Sequence, residues 1–353
     1  MLSLYLHIPF CKRKCRYCAF HSAPACETER YTAAMEQAIA RFGKEAKPLS
    51  TLYLGGGTPA LLGAQNIKRL IDCARSAFGF KEDIEITMEL NPESTDLPLL
   101  KALKESGVNR LSLGVQSLQD KELSALGRLH DAKRAEEALK MIFEAGFANV
   151  SADVMYGIPE QTEKSFGETL DRLLAFPLTH LSAYSLQIEE GTPLYESGLS
   201  PMEEEQEERL HALLCQKAKE RGLIHYEISN FGKEGYFSRH NLAYWRRTDY
   251  LGLGPSAHSF YKGVRYAYPA DTEGFIKDPL TLQDPLPIGE EEAREEQILL
   301  GLRTIEGVPM KLLPKSLDLA PLRPFITIHG DRLALNEKGF RLSNYIIGEI
   351  LSK

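Results

Sequence analysis

The sequence predicts an α/β fold: a parallel sheet, open or closed into a barrel, covered by crossover helices. Three observations predict it. Short apolar runs alternate with longer stretches whose apolar residues recur at helical spacing. That alternation repeats through six βα units. Polar residues and glycines then gather where the apolar runs end, and parallel βα folds collect their chemistry at that end.

Taken in order, the first strand is LSLYLHI, residues 2–8, and Thr28 to Phe42 carries a helical apolar period. TLYLGGG is the second strand, with its helix over Asn66 to Phe78. IEITMEL precedes a helix over Leu97 to Glu105, and NRLSLGVQS precedes helices over Asp120 to Leu126 and Asp131 to Ala145. NVSADVMYG leads to a helix over Glu163 to Leu174, and HLSAYSLQ to one over Glu203 to Lys219. The acidic start of that last helix, EEEQEE, suits the positive end of its dipole. After about residue 230 the rhythm changes and Gly, Tyr, Arg and Pro become dense. Helices are expected over Glu290 to Arg303 and Lys311 to Pro314, and the tail ITIHGDRLALNEKGF reads as a β-hairpin before a final helix. The expected division is a βα unit over residues 1–232 and a small C-terminal α+β module over 233–353.

The chain has 353 residues, 43% of them hydrophobic and 26% charged, an ordinary composition for a globular enzyme. A net charge of −7 gives nucleic acid no electrostatic attraction, so no nucleic-acid partner is expected. No apolar run is long enough to span a membrane, which leaves peripheral contact open. The N-terminus lacks the basic, apolar and small-residue pattern of a secretion signal, so a cytoplasmic location is expected. Of the six cysteines, Cys73 and Cys215 stand at apolar helical positions as buried structural thiols, and Cys26 is assigned no role.

The remaining three, Cys11, Cys15 and Cys18, follow the first strand as C-x3-C-x2-C. Thiols at that spacing converge on one metal centre, and Lys12, Arg13, Lys14 and Arg16 favour their thiolates. Three thiolates on a four-iron cluster leave one iron open. Zinc with His21 as fourth ligand is the alternative. Covalent heme attachment is excluded because Ala19, not His, follows Cys18. Gly55 to Thr58 let backbone approach a ligand closely. Glu89 can accept from an amine or a ribose, and Arg128 can pair a carboxylate. With Gln116 and Asp153 they describe a pocket for a zwitterion carrying a nucleoside.

The cysteine motif with Tyr17 inside it, together with LGGGTP, MELNPE, LSLGVQS, DVMYGIPEQT and DYLGLGPSAHS, resembles the radical S-adenosylmethionine (radical SAM) superfamily over nearly the whole chain. Within it, the resemblance is to the group of oxygen-independent coproporphyrinogen III dehydrogenases. It implies a partial (β/α)6 barrel with a C-terminal module, a four-iron, four-sulfur cluster on the three cysteines, and SAM chelating the open iron. Position by position it implies SAM contacts from Tyr5, Tyr17, Gly57, Thr58, Glu89, Gln116, Arg128 and Asp153. The dehydrogenases carry another cysteine two residues after the third, where this chain has Phe20. The first strand starts at Leu2, so an extension like the one that covers the dehydrogenase site is not expected. Both differences imply the heme-chaperone branch of the group rather than porphyrinogen decarboxylation.

HNLAYW, His240 to Trp245, reads by itself as aromatic-rich packing. By resemblance it matches the HNxxYW pattern with which that branch binds heme. The implied heme residues are His240 as axial imidazole, Asn241, and Tyr244 and Trp245 as stacking faces, with Arg246 and Arg247 for the propionates. His258 and His7 are rival ligands, His7 being better placed to support the cysteine loop. The expected partners are heme and an acceptor hemoprotein such as a membrane respiratory enzyme.

Overall fold

A computed structural model describes residues 1–43 and 47–353. The six expected βα units are present: β1 (Leu2–Ile8) with α1 (Thr28–Gly43), β2 (Leu49–Gly56) with α2 (Ala64–Phe78), and β3 (Phe80–Leu90) with α3 (Leu97–Glu105). Next come β4 (Arg110–Gln116) with α4 (Asp120–Leu126) and α5 (Ala132–Glu144), then β5 (Asn149–Tyr156) with α6 (Glu163–Leu174). The last is β6 (His180–Ser185), followed by a single turn α7 (Pro193–Glu196) and by α8 (Glu204–Glu220). Local chemistry starts these helices where the sequence predicts. The Asp96 side chain accepts from Leu99 N at α3, Asp131 from Arg134 N at α5, and Thr162 and Ser165 form a reciprocal capping box at α6.

Strands β1 to β6 pair in parallel and in chain order, but the sheet does not close on itself. The fold is a partial (β/α)6 barrel with a small α+β module. Alternation along the strands sorts the two faces. Leu4, Leu6, Leu52, Leu54, Ile86, Met88, Leu111, Leu113, Val150 and Ala152 belong to the apolar core shared with the helices. The alternate residues form polar rows across the register: Thr51 opposite Glu85, Glu89 opposite Ser112, Ser112 opposite Ser151, Ser151 opposite His180, and Asp153 opposite Ser182. The interior of the barrel is therefore polar from one end to the other.

Beyond residue 220 the chain adds a hairpin of β7 (Ile224–Glu227) and β8 (Asn230–Gly232), of which β8 pairs antiparallel with β6. A short helix α9 (Arg239–Trp245) leads to β9 (Asp249–Leu253), which pairs in parallel with β1 on the other edge of the sheet. β10 (His258–Tyr261), β11 (Val264–Ala267), α10 (Thr272–Lys277) and β12 (Gln283–Pro287) extend that edge to a sheet of 12 strands. Residues on both sides of position 232 thus belong to one sheet. A second core, drawn from residues 298–350, holds α11 (Glu290–Gly301), β13 (Val308–Pro309), β14 (Ile326–His329), β15 (Arg332–Leu335), α12 (Glu337–Arg341) and α13 (Ser343–Leu351). The expected tail hairpin and final helix are there. The expected helix at Lys311 is a single tight turn, Met310–Leu312, just after Pro309.

Candidate functional site

The C-terminal ends of the strands surround a cavity of about 500 Å³. Its size is in the range of small-molecule and cofactor sites. The cysteine loop closes one side, and all three cysteines line it while half-buried. Backbone bonds seat the loop at both ends: Cys11 N donates to Ala23 O (3.0 Å), Ala23 N to Pro9 O (2.8 Å), and Arg16 N to Leu126 O (3.0 Å). Arg13 donates to Gly127 O (2.8 Å) and Arg128 O (3.1 Å), and Arg16 reaches Ala125 O (3.4 Å). These two arginines anchor the loop to the end of α4 rather than face the thiols. For Arg13 and Arg16 that corrects the expectation that neighbouring cations favour the thiolates, whereas Lys14 does act on Cys18 in the expected direction. Burial pushes the Cys11 and Cys18 thiols up, and the lowering by Thr58 on Cys11 and by Lys14 and Arg128 on Cys18 is smaller.

The cation that reaches the thiols is Arg128, far away in sequence. Its Nη1 donates to Cys15 Sγ (3.4 Å), and its Nη2 donates to Asn91 Oδ1 (2.5 Å) and Gly114 O (2.9 Å). Asn91 Nδ2 donates to Thr58 Oγ1 (2.9 Å), whose hydroxyl points at Cys11 Sγ (4.0 Å). One chain of contacts therefore runs from Cys11 through Thr58, Asn91 and Arg128 to Cys15. The Arg128 Nε is buried without a partner among the described residues. That orphaned donor beside the cavity suits an anionic ligand group, because buried polar groups are rarely left unpaired.

The three glycines of GGGTP are required by close approaches on three sides. A Cβ on Gly55 would meet the Glu89 carboxyl at 2.9 Å, one on Gly56 the His7 ring at 2.7 Å, and one on Gly57 the Phe10 carbonyl oxygen at 2.6 Å. The motif lets the cysteine loop and Glu89 come close to the end of β2. Gln116 reaches the cavity from a bulge between β4 and β5, with a positive φ of 66° that L residues rarely adopt.

Of the residues expected around SAM, Tyr17, Gly57, Thr58, Glu89, Gln116, Arg128 and Asp153 line the cavity. Tyr5 is not among its lining residues; its hydroxyl meets His7 Nδ1 (3.0 Å) inside the barrel, below the cavity. Glu89 accepts from the Tyr53 hydroxyl (2.8 Å) and from Gly56 N (3.0 Å). Burial nonetheless pushes its carboxyl up to about 7. Asp153 accepts from Ser112 (2.9 Å), and burial raises it too. Sequence reasoning missed Tyr184, Gln187 and Glu189, which complete the lining from β6 and the loop after it. Their position at the end of the sixth strand was the available signal.

The donor set fits a cluster better than a single ion. Among the described residues, only His211, Cys215 and His225 bring three ligand atoms within 4.8 Å of one another, so the three loop thiols stand further apart than donors around one zinc. His21, the expected fourth zinc ligand, turns away and meets Thr272 Oγ1 (2.9 Å) on α10. Three thiols spread along the rim of a cavity suit ligands to different irons of one cluster.

A model of the radical SAM superfamily matches residues 5–173. The heme chaperone HemW of Bacillus subtilis (strain 168) is 34% identical over 100% of both chains. The heme chaperone HemW of Lactococcus lactis subsp. lactis (strain IL1403) is 30% identical over 99% of this chain and 97% of that protein. The chain belongs to the HemW family of the radical SAM superfamily. The fold is similar to that of coproporphyrinogen III oxidase (HemN) from Escherichia coli, with a TM-score of 0.83 over 98% of this chain and 89% of that one, at 22% identity.

In this HemW-family chain the HNLAYW segment forms most of α9 and lies against the opposite, N-terminal end of the barrel strands. Ser238 caps the helix, and Glu85 of β3 adds a carboxylate at its start, accepting from Arg239 N (3.1 Å) and His240 N (3.0 Å). His240 is buried beside Tyr53, their ring centroids 4.9 Å apart. Both its nitrogens are engaged, Nδ1 with Thr51 Oγ1 (2.8 Å) and Nε2 with the Tyr244 hydroxyl (2.8 Å), and burial lowers its pKa to about 3. Arg246 pairs with Glu306 (Nε to Oε2, 3.0 Å), and Arg247 with Glu296 (2.5 Å). As arranged, the segment offers no free imidazole nitrogen for iron, and its arginines already have carboxylate partners. The reason is tertiary: α9 plugs the polar interior of the barrel, so its side chains turn inward. His7 is likewise engaged, through Tyr5 and the His21 carbonyl (3.3 Å), and supports the cysteine loop as expected. His258 is exposed on β10. Among the described residues no helix is long and apolar enough to cross a membrane.

Proposed function

We propose that this chain binds heme and passes it to an acceptor hemoprotein, such as a membrane respiratory enzyme, while holding a SAM-ligated four-iron, four-sulfur cluster in the C-terminal mouth. The observation that carries the reading is similarity at 34% identity over the full length of a protein named as a heme chaperone. Phe20 supports it. It occupies the position after the cysteine loop where the dehydrogenase pattern has another thiol, lines the cavity, and is 69% exposed. Leu129 and Tyr184, 44% and 42% exposed, share that rim and give it an apolar lip suited to a flat ring.

In this reading Cys11, Cys15 and Cys18 are the cluster ligands. A cluster held by three thiolates supplies one-electron chemistry and one iron open to a ligand. Arg128 holds Cys15, Asn91 and the strand end in one arrangement, and its free Nε faces an anionic group. Glu89 and Asp153 offer carboxylates to an amine or a ribose. Gly57 and Thr58 present backbone, and Tyr17 and Gln116 close the sides. His240, Asn241, Tyr244 and Trp245 are proposed as heme-contacting residues that engage when α9 leaves its plugged position, exchanging Thr51 and Tyr244 for iron at His240.

Heme titration into the anaerobically reconstituted protein tests this, followed by the Soret band and by fluorescence of Trp245, the single tryptophan. Saturable binding that quenches Trp245, and that weakens or changes spectrally in His240→Ala, supports the plugged helix as the heme site. Binding that instead weakens in Phe20→Ser with Trp245 unquenched moves heme to the apolar lip. Turnover of coproporphyrinogen to protoporphyrinogen, or no saturable binding, overturns the chaperone reading.

A further inference from the structure

We propose a second metal site, separate from the cysteine loop: a zinc-class divalent cation bound by His211 and Cys215 of α8 and His225 of β7. His211 and Cys215 are four residues apart on one face of the helix, and β7 brings His225 across from them. Their ligand atoms lie within 4.8 Å of one another. Cys215 Sγ is 3.7 Å from His211 Nδ1, close to the roughly 3.5 Å expected between neighbouring sulfur and nitrogen donors around tetrahedral zinc. No other group of three such residues gathers this tightly among the described residues.

The surroundings match what a metal-bound histidine needs. His225 Nε2 meets the Ile228 carbonyl oxygen (3.3 Å), a bond that fixes Nε2 as the donor and leaves the lone pair on Nδ1. That Nδ1 is buried and has no partner among the described residues. The ring is held in place by Phe231, stacked at 4.2 Å and 14°, and by Phe340, edge-on at 5.0 Å. The second nitrogen is thus oriented, rigid and unsatisfied, which is costly unless something binds it. His211 is only half-buried, so a route from solvent exists. Glu337, at the start of α12, is a carboxylate close enough to act electrostatically on both His211 and Cys215, and Glu207 acts on His211 as well. Cys215, expected to be an inert buried thiol, is the centre of this group. A cation here would tie three parts together: the last barrel helix, the β7–β8 hairpin, and the C-terminal module through Glu337 and Phe340.

The test is zinc binding by the full-length, cluster-loaded protein, with zinc and iron counted together by elemental analysis and zinc affinity measured against a chromophoric chelator. The expected result is one zinc per chain in addition to the cluster iron, retained in a Cys11→Ala, Cys15→Ala, Cys18→Ala variant. Cys215→Ser and His225→Ala should each weaken zinc binding at least about tenfold while leaving cluster iron unchanged. Added zinc should also raise the melting temperature of the wild type but not of either variant. Should one variant fail to fold, the other carries the test. The proposal is overturned if no zinc is retained, if zinc disappears with the loop cysteines, or if both folded variants bind it as the wild type does.

Discussion

At the C-terminal end of the barrel strands, Glu89, Asp153 and Arg128 face a cavity of about 500 Å³, and Arg128 keeps an unpaired Nε. At the N-terminal end, Glu85 and Thr51 face α9, and the carboxylate, the hydroxyl and both nitrogens of the helix's own His240 have partners. Both ends descend from the same polar rows of the same strands. The difference is what the connecting chain does. Above, the βα loops stand apart and leave a mouth. Below, α9 enters and satisfies the groups it meets. Neither end is fully paired, since Ser3 Oγ, Thr87 Oγ1 and Arg110 Nε near the strand starts are also buried without partners among the described residues; what separates the ends is room, and a ligand at the plugged end has to replace the bonds that α9 already makes.

The sharpest way to break the comparison is Cys15→Ala. Cluster iron and sulfide should be lost entirely, while the melting temperature set by the plugged end changes little. Next is Gly57→Ala, whose Cβ would lie 2.6 Å from the Phe10 carbonyl oxygen. The cysteine loop should not seat, and iron content after reconstitution should fall to a small fraction of wild type. Glu89 gives a pH test of the open end. Its folded pKa, about 7, lies above the ordinary 4.5, so the folded state holds a proton that the unfolded chain releases. Its contribution is fully present below pH 4.5, is lost as pH rises through 7, and amounts to about 3 kcal/mol over that window. Urea unfolding at a series of pH values should show this slope flattened in Glu89→Gln. Glu85→Ala tests the plugged end: the Ser238 cap of α9 stays, but the N–H groups of Arg239 and His240 lose their acceptor. A loss of about 2 kcal/mol in urea unfolding is expected, with cluster iron retained. The smallest effect should come from Arg246→Ala. Its pair with Glu306 is about 40% exposed on each side, and breaking it should cost less than about 1 kcal/mol.

Much of this was legible in the chain. LSLYLHI predicts β1 to the residue, because an apolar residue at every second position marks a strand with one face in the core. Seven of the eight residues expected around SAM line one cavity, because they stand where strands end. Tyr5 is the exception, since it sits three residues before the end of β1 and points into the barrel below the mouth. Of the basic residues flanking the cysteines, Arg13 and Arg16 misled, because proximity in sequence does not fix where a long side chain points. Arg13 and Arg16 reach α4, and the thiols instead meet Arg128. Cys215 is buried as its apolar helical position predicts, although that pattern does not say what faces the thiol.

The sequence by itself determined the order of the βα units, the end of the barrel that carries the chemistry, and the three thiols at its rim. Those depend on local periodicity and on residues close together in the chain. Only the tertiary structure decided that Arg128 and Asn91 link Cys11 to Cys15, that α9 plugs the far end with His240 turned inward, and that His225 faces Cys215. Each is a contact between segments far apart in sequence, and such contacts are set by how strands and helices pack rather than by any local preference.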